Sequence, residues 1–344
     1  MKLLRLAHRW TGGIVGLLLA VIGLSGALMV WEHTWLCLPR SNERLVTDSK
    51  TLGASVEAAL TEEPGLKRIT FASEEIGLHE AIYSNGSGAY FAQDGVLVDR
   101  WTSIWDRPEL WLFELHQHLL LGQNGKYITG LLGLVLFAFS ASGIGLWWQT
   151  RKTFELRLWP ARMTRSGIIR QHRDLGIVAA PLLMLSGITG TLILFPVAYE
   201  ILSSPWAGPE IGNSTPPKGL PLTGSKTDWQ KAIANARSAF PGAVLRRITF
   251  PEPGAAITVR LKQPFEWTPN GRSLVWLDPS NGALLASKEP PSNGSAVIAE
   301  ALYPIHSGKI GGTVWKLFLT FGGLGLAMLG TLGCWSFWFR NAHN

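Results

Sequence analysis

The 344-residue chain is short of charge and of cysteine: 16% of its residues are charged and 47% hydrophobic. Soluble domains carry about a quarter charged residues. The deficit is local. Apolar runs nearly free of charge alternate with ordinary polar stretches, as they do in a polytopic membrane protein. Cys37 follows the first apolar run and Cys334 lies inside the last, depths that argue against a disulfide. The absence of C-x-x-C-H excludes covalent attachment of a c-type haem. There is no phosphate-binding G-x-x-x-x-G-K-[ST], no G-x-G-x-x-G after a strand, no H-E-x-x-H and no G-x-S-x-G. Gly308-Lys309 lacks the phosphate-loop spacing, and the glycines at 323–330 sit inside an apolar run, where close packing explains them. Hydrolase chemistry has no support. No carboxylate falls within the apolar runs, which argues against an ion-driven transporter.

Four runs are long enough to span a bilayer, which takes roughly 20 residues. They cover residues 10–31, 127–148, 175–197 and 313–338, with Trp10, Trp31, Trp147, Trp148, Trp335 and Trp338 near their ends. Tryptophan marks membrane interfaces. The net charge of +7 is placed, not spread: seven basic residues lie between 151 and 173, opposed there only by Glu155. By the positive-inside rule this is a cytoplasmic loop and not a nucleic-acid surface. Lys2, Arg5 and Arg9 resemble the start of a signal peptide, but the apolar run behind them exceeds the usual 7–15 residues or so and no A-x-A site follows, so a retained helix is expected.

These spans divide the chain into transmembrane helices at 1–33, 113–149, 172–198 and 306–344 (the last with a cytoplasmic tail), a cytoplasmic loop at 150–171, and external segments at 34–112 and 199–305. Both termini are expected in the cytoplasm, and the external segments in the periplasm if the cell is Gram-negative. Each external segment reads as a small α+β domain. The first has helical composition at 55–61 and strands at 66–72 and 88–98; the second has a helix at 228–240 and strands at 244–250, 256–262 and 273–277. Asn85-Gly86 and Asn281-Gly282 read as hairpin turns, and the Pro/Gly-rich stretch 204–224 as a linker.

The chain also repeats itself. Lys67-Arg68-Ile69-Thr70-Phe71 is echoed by Arg246-Arg247-Ile248-Thr249-Phe250, and His8-Arg9 by His172-Arg173. Glycines follow each of these histidines at +4, +15 and +18, as Gly12, Gly23 and Gly26, then Gly176, Gly187 and Gly190. At 100° per residue they lie within about 60° of the histidine's face. His116 precedes Gly125-Lys126 as His306 precedes Gly308-Lys309. The unit is helix, external domain, helix, used twice. It puts His8 and His172 at the cytoplasmic level and His116 and His306 at the outer level.

A lone histidine at a membrane boundary usually snorkels or hydrogen-bonds a loop. Four at the starts of four helices, paired by level, point instead to two b-type haems, because imidazole suits iron and haem iron takes one on each axial side. The glycines give a macrocycle space, although small residues also serve plain helix packing. Arg9 and Arg173 are placed to meet haem propionates, as are Lys126 and Lys309 outside; positive-inside charge accounts equally well for the two arginines. His118 and His33 compete with His116 for the outer iron. His79 and His343 read as solvated. Trp101, Trp105 and Trp111 read as interfacial anchors.

Leu115-His116-Gln117-His118-Leu119-Leu120-Leu121-Gly122, Pro304-Ile305-His306-Ser307-Gly308-Lys309, His8-Arg9-Trp10-Thr11-Gly12 and His172-Arg173-Asp174-Leu175-Gly176 together resemble the motifs of the PepSY-associated transmembrane family, its ferric-siderophore reductase branch above all. The resemblance covers nearly the whole chain. It implies an inner-membrane four-helix bundle with two periplasmic PepSY domains and two haems b. The implied oxidoreductase passes electrons outward to a periplasmic ferric siderophore from a quinol or a cytoplasmic flavoprotein. The alternative is a PepSY sensor or peptidase-regulating module without redox function.

Overall fold

The computed structural model describes residues 1–206, 217, 227–250, 254–291 and 294–338. Most of the expected linker at 204–224, with His343 and the rest of the tail, lies outside them. In chain order the helices are α1 (Lys2–Met29), α2 (Glu32–Trp35), α3 (Ser49–Glu62), α4 (Pro108–His118), α5 (Gly122–Trp148), α6 (Arg165–Leu194), α7 (Pro196–Ser203), α8 (Trp229–Ala239), α9 (Gly294–Ser307) and α10 (Gly312–Trp338). The strands are β1 (Leu66–Thr70), β2 (His79–Tyr83), β3 (Gly88–Phe91), β4 (Leu97–Trp101), β5 (Val244–Thr249), β6 (Ile257–Lys262), β7 (Ser273–Leu277) and β8 (Leu284–Lys288). They form two compact units, one helical and one built on a sheet.

In the helical unit α1, α5, α6 and α10 are long and apolar enough to cross a membrane. α1 packs along α10, α5 along α6, and α6 against α10. Glycine sets the first two crossings. A Cβ on Gly23 would come within 2.7 Å of the Gly323 carbonyl oxygen, and one on Gly187 within 2.7 Å of that of Gly133. Small residues allow such backbone approach in lipid, where burial of apolar surface drives nothing.

The helices outrun their apolar cores. α1 starts at Lys2, and α6 starts at Arg165 behind the N-cap Thr164, whose hydroxyl accepts from the Gly167 amide. His8 and His172 therefore sit inside helices and not at their starts. The loop before α6 is clamped to it: buried Asp174 takes both Arg157 and Arg173, and Arg173 also donates to Thr153. The expected helix at 113–149 is broken. Leu119 and Leu120 adopt left-handed backbone (φ 51° and 60°) between α4 and α5, a conformation that strains a non-glycine residue by about 1–3 kcal/mol. The equivalent break between α9 and α10 is made by Gly308, Gly311 and Gly312, also at positive φ and without that strain.

The two segments read as α+β domains meet in one sheet unit. Both segments share one eight-stranded antiparallel sheet in the order β4-β3-β2-β1-β5-β6-β7-β8. Ile69 lies opposite Ile248 across the β1–β5 seam. These are also equivalent residues of the repeated pentapeptide, so a local two-fold axis passes between them. α3 and α8 pack together, and one core holds Val56, Ile69, Phe91, Ile233, Ile248 and Val259. Each half alone would leave one side of β1 or β5 without hydrogen-bond partners. The sequence reading missed β2 and β8. It also ran β3 and β4 together through a turn that closes with the Ala92 amide on the Val96 carbonyl.

One carboxyl on this unit titrates usefully. Burial, with Glu266 nearby, pushes Glu300 up to about 7, although Arg272 and Arg260 oppose the shift. Such a group supports the fold only while protonated. Its contribution is complete below the ordinary glutamate value of 4.5 and declines as pH rises to about 7. Glu300→Gln flattens that part of the stability–pH curve, measured by thermal unfolding between pH 4.5 and 7; an unchanged slope assigns the effect elsewhere.

Candidate functional site

α1 and α6 are not among the closely packed helix pairs, yet their histidines meet. The rings of His8 and His172 lie with centroids 6.2 Å apart at 88°. The rings of His116 on α4 and His306 on α9 lie 6.2 Å apart at 46°. All four residues are half-buried.

The rings are anchored through one nitrogen. His116 Nδ1 is 3.0 Å from the Ile22 carbonyl and 3.1 Å from Ser25 Oγ. His306 Nδ1 is 3.0 Å from Thr189 Oγ1, with the Ser186 backbone as a second partner. Ile22, Ser25 and Gly26 on α1 correspond to Ser186, Thr189 and Gly190 on α6, so the two rings are seated alike. A Cβ on Gly26 would meet the His116 ring at 2.9 Å, and one on Gly190 the His306 ring at 2.9 Å. At the other level His8 Nδ1 is 2.8 Å from Ser142 Oγ, and His172 bonds the Leu329 backbone. Gly143 and Gly333 approach these two rings.

The glycine stripe therefore divides its work. Gly23 and Gly187 bring helices together, while Gly26 and Gly190 admit the histidines of α4 and α9. A Cβ on Gly176, one turn beyond His172, would meet nothing within 4 Å, so open space remains beside that pair. From His8 to Gly26 the α1 axis rises about 27 Å, close to the roughly 30 Å depth of a hydrocarbon core. The two pairs stand near opposite ends of the bundle.

The arrangement fits haem. Two metal–imidazole bonds of about 2 Å, with each ring centroid about 1 Å behind its nitrogen, place the centroids roughly 6 Å apart. A ligating histidine normally anchors its other nitrogen to a carbonyl or hydroxyl group. Among the described residues no three His, Cys, Asp or Glu side chains cluster as a metal cage. A metal between two imidazoles must then bring its own equatorial ligands, as an iron porphyrin does.

Of the three candidates for the outer level it is the His116 ring that faces His306. His118 Nδ1 is 2.7 Å from Glu114 of its own helix, and His33 Nε2 is 3.3 Å from Glu75. Arg9 is exposed. Arg173 is held by Asp174 and Thr153, which accounts for it without a propionate. Two expectations change with burial. His79, read as solvated, is fully buried, and Trp101 packs inside the sheet unit against Tyr90 instead of anchoring at an interface.

The description "PepSY-associated TM region" fits the chain over residues 5–340. The chain belongs to this family. The PepSY-associated bundle and its sheet unit both fall within the matched span. A protein of Pseudomonas aeruginosa described as uncharacterized is 29% identical over 154 residues, which cover 42% of this chain and 38% of that protein. The match thus spans well under half of either protein, and the relative's description carries no activity.

Proposed function

We propose that this PepSY-associated chain is an inner-membrane electron conduit holding two haems b, one between His8 and His172 and one between His116 and His306. The observation that carries the reading is the two histidine pairs, equally spaced, with His116 and His306 seated alike by equivalent residues of the two halves of the chain. His8 with His172 and His116 with His306 would each hold one haem through two imidazoles, and a haem so held would supply one-electron transfer and not oxygen binding. The chain's own part is positioning. Ser25 with Ile22, and Thr189 with Ser186, fix the ring orientation of His116 and His306; Ser142 and the Leu329 backbone do so for His8 and His172. Internal duplication of a helix–sheet–helix unit explains why the seats match.

The basic loop at 151–173 puts the His8–His172 pair at the cytoplasmic level and the His116–His306 pair at the periplasmic one, with both termini cytoplasmic. The donor is a quinol or a cytoplasmic flavoprotein. The acceptor is a ferric siderophore, as the resemblance of the histidine motifs implies, and reduction weakens the hold of oxygen chelators on iron. The test is spectroscopic. Protein purified in detergent from haem-replete cells shows a Soret band that sharpens on reduction, with two haems per chain by pyridine haemochrome. Colourless protein would leave a sensor or peptidase-regulating module as the better reading.

The anchoring bonds give a finer prediction. Thr189→Ala keeps both haems but weakens retention of the one at His306, within the roughly 10–100-fold range for lost outer-shell partners, as read from haem transfer to apomyoglobin. Equal transfer rates in variant and wild type would remove Thr189 from the site.

A further inference from the structure

The basic loop ahead of α6 is a built surface and not a loose tether. Its chain doubles back along the first turns of the helix. The Leu158 carbonyl accepts from Gln171 Nε2 at 3.3 Å, Arg157 reaches buried Asp174, and Arg173 donates to the Thr153 carbonyl at 2.7 Å. The end next to α5 is held as well. Arg151 lies 4.4 Å over the Trp148 ring and donates to the Trp148 carbonyl at 2.7 Å. The Phe154 ring meets that of Trp147 with centroids 6.2 Å apart.

The side chains left outward are of two kinds. Leu156 is 65% exposed, Trp159 67% and Met163 54%. Lys152, Arg162 and Arg165 alternate with them along the chain and are exposed too. The two carboxylates of this stretch are already taken: Arg157 pairs with Glu155 and with Asp174, and Arg173 pairs with Asp174. Among the described residues, neither carboxylate pairs with Lys152, Arg162 or Arg165. A loop that faced only water would gain nothing by holding three large apolar side chains away from its own core. Such exposure marks an interaction surface.

The surroundings name the partner. The loop joins α5 to α6, and both helices are long and apolar enough to cross a membrane, so it sits at the level of the lipid headgroups. Phosphodiester oxygens accept charge-assisted hydrogen bonds from guanidinium and ammonium groups. The boundary beneath the headgroups takes apolar side chains interleaved with those cations. A soluble acidic protein would match the charge alone, whereas lipid supplies both chemistries at this depth.

We infer that the loop between α5 and α6 is a binding surface for anionic phospholipid headgroups. Lys152, Arg162 and Arg165 take the phosphate groups, and Leu156, Trp159 and Met163 enter the acyl boundary. The assignment requires only that α5 and α6 span a membrane. It depends neither on haem nor on the side to which the loop faces.

The test uses full-length protein in dodecyl maltoside micelles doped with equal amounts of dioleoylphosphatidylglycerol and dioleoylphosphatidylcholine. The protein is re-isolated by size exclusion and its bound lipid is counted by mass spectrometry. Wild type retains phosphatidylglycerol at least about 3-fold over phosphatidylcholine, and the preference falls as salt rises to about 0.5 M. The triple variant Lys152→Gln, Arg162→Gln, Arg165→Gln loses at least about half of that preference. Trp159→Ser leaves the charge untouched and lowers phosphatidylglycerol retention about 2-fold. The control triple Lys50→Gln, Arg100→Gln, Lys231→Gln removes the same charge from exposed positions of the sheet unit and keeps the wild-type preference. Wild-type retention in either loop variant, or an equal loss in the control triple, overturns the assignment. Equal retention of the two lipids by wild type also overturns it, and leaves an acidic soluble protein as the partner of this surface.

Discussion

His306→Ala purifies with one haem per chain instead of two, and the haem it keeps has the spectrum of the one kept by His116→Ala. His8→Ala and His172→Ala each lose the other haem and leave a second, common spectrum. The grouping follows from the ring pairs, which put His8 with His172 and His116 with His306. On this reading each imidazole would hold its haem together with the other ring of its pair, so removal of either one would release it. The Soret absorbance per chain falls by roughly half in each single variant and vanishes when one histidine is removed from each pair. Pyridine haemochrome stoichiometry with reduced-minus-oxidised spectra decides it. His118→Ala and His33→Ala keep both haems, because it is the His116 ring that faces His306; loss of the outer haem in either one would falsify the assignment of His116.

Ile69→Ala destabilises the sheet unit by about 2–5 kcal/mol, and Ile248→Ala does the same. Both side chains are fully buried and lie opposite one another across the seam between the two halves. Because they share one site, the double variant costs less than the sum of the two, by about 0.5–3 kcal/mol. Two independent external domains would instead give additive losses. Urea-dependent pulse proteolysis of the full-length protein in detergent measures all three variants on the same footing.

The membrane helices were legible because apolar length and charge placement are local signals. The histidine pairing was legible because the repeat ties His8 to His172 and His116 to His306 by register. The single sheet was not legible. Strand pairing between Ile69 and Ile248 spans about half of the chain, and each external segment alone has the composition of a complete small domain. β2 was missed and β4 merged with β3 for local reasons: His79 and Glu80 interrupt the first, and the turn at Asp94-Gly95 separates β4 from β3 too briefly for composition to register. The split role of the glycines was also beyond the sequence. Spacing places Gly23 and Gly26 on one face of α1, but only the packed bundle shows that one meets a helix backbone and the other an imidazole.

The seam between β1 and β5 has a consequence for biogenesis. Its two strands are separated by about 180 residues of chain, which at roughly 5–20 residues per second takes on the order of ten seconds or more to synthesise. Throughout that interval β1 stands outside the membrane with one row of amide and carbonyl groups exposed, able to pair with any extended peptide it meets. Two further helices must insert before β5 emerges to cover it. Membrane assembly of this protein therefore passes through a nascent state with an open strand edge, and its yield depends on how fast the second half of the chain follows the first.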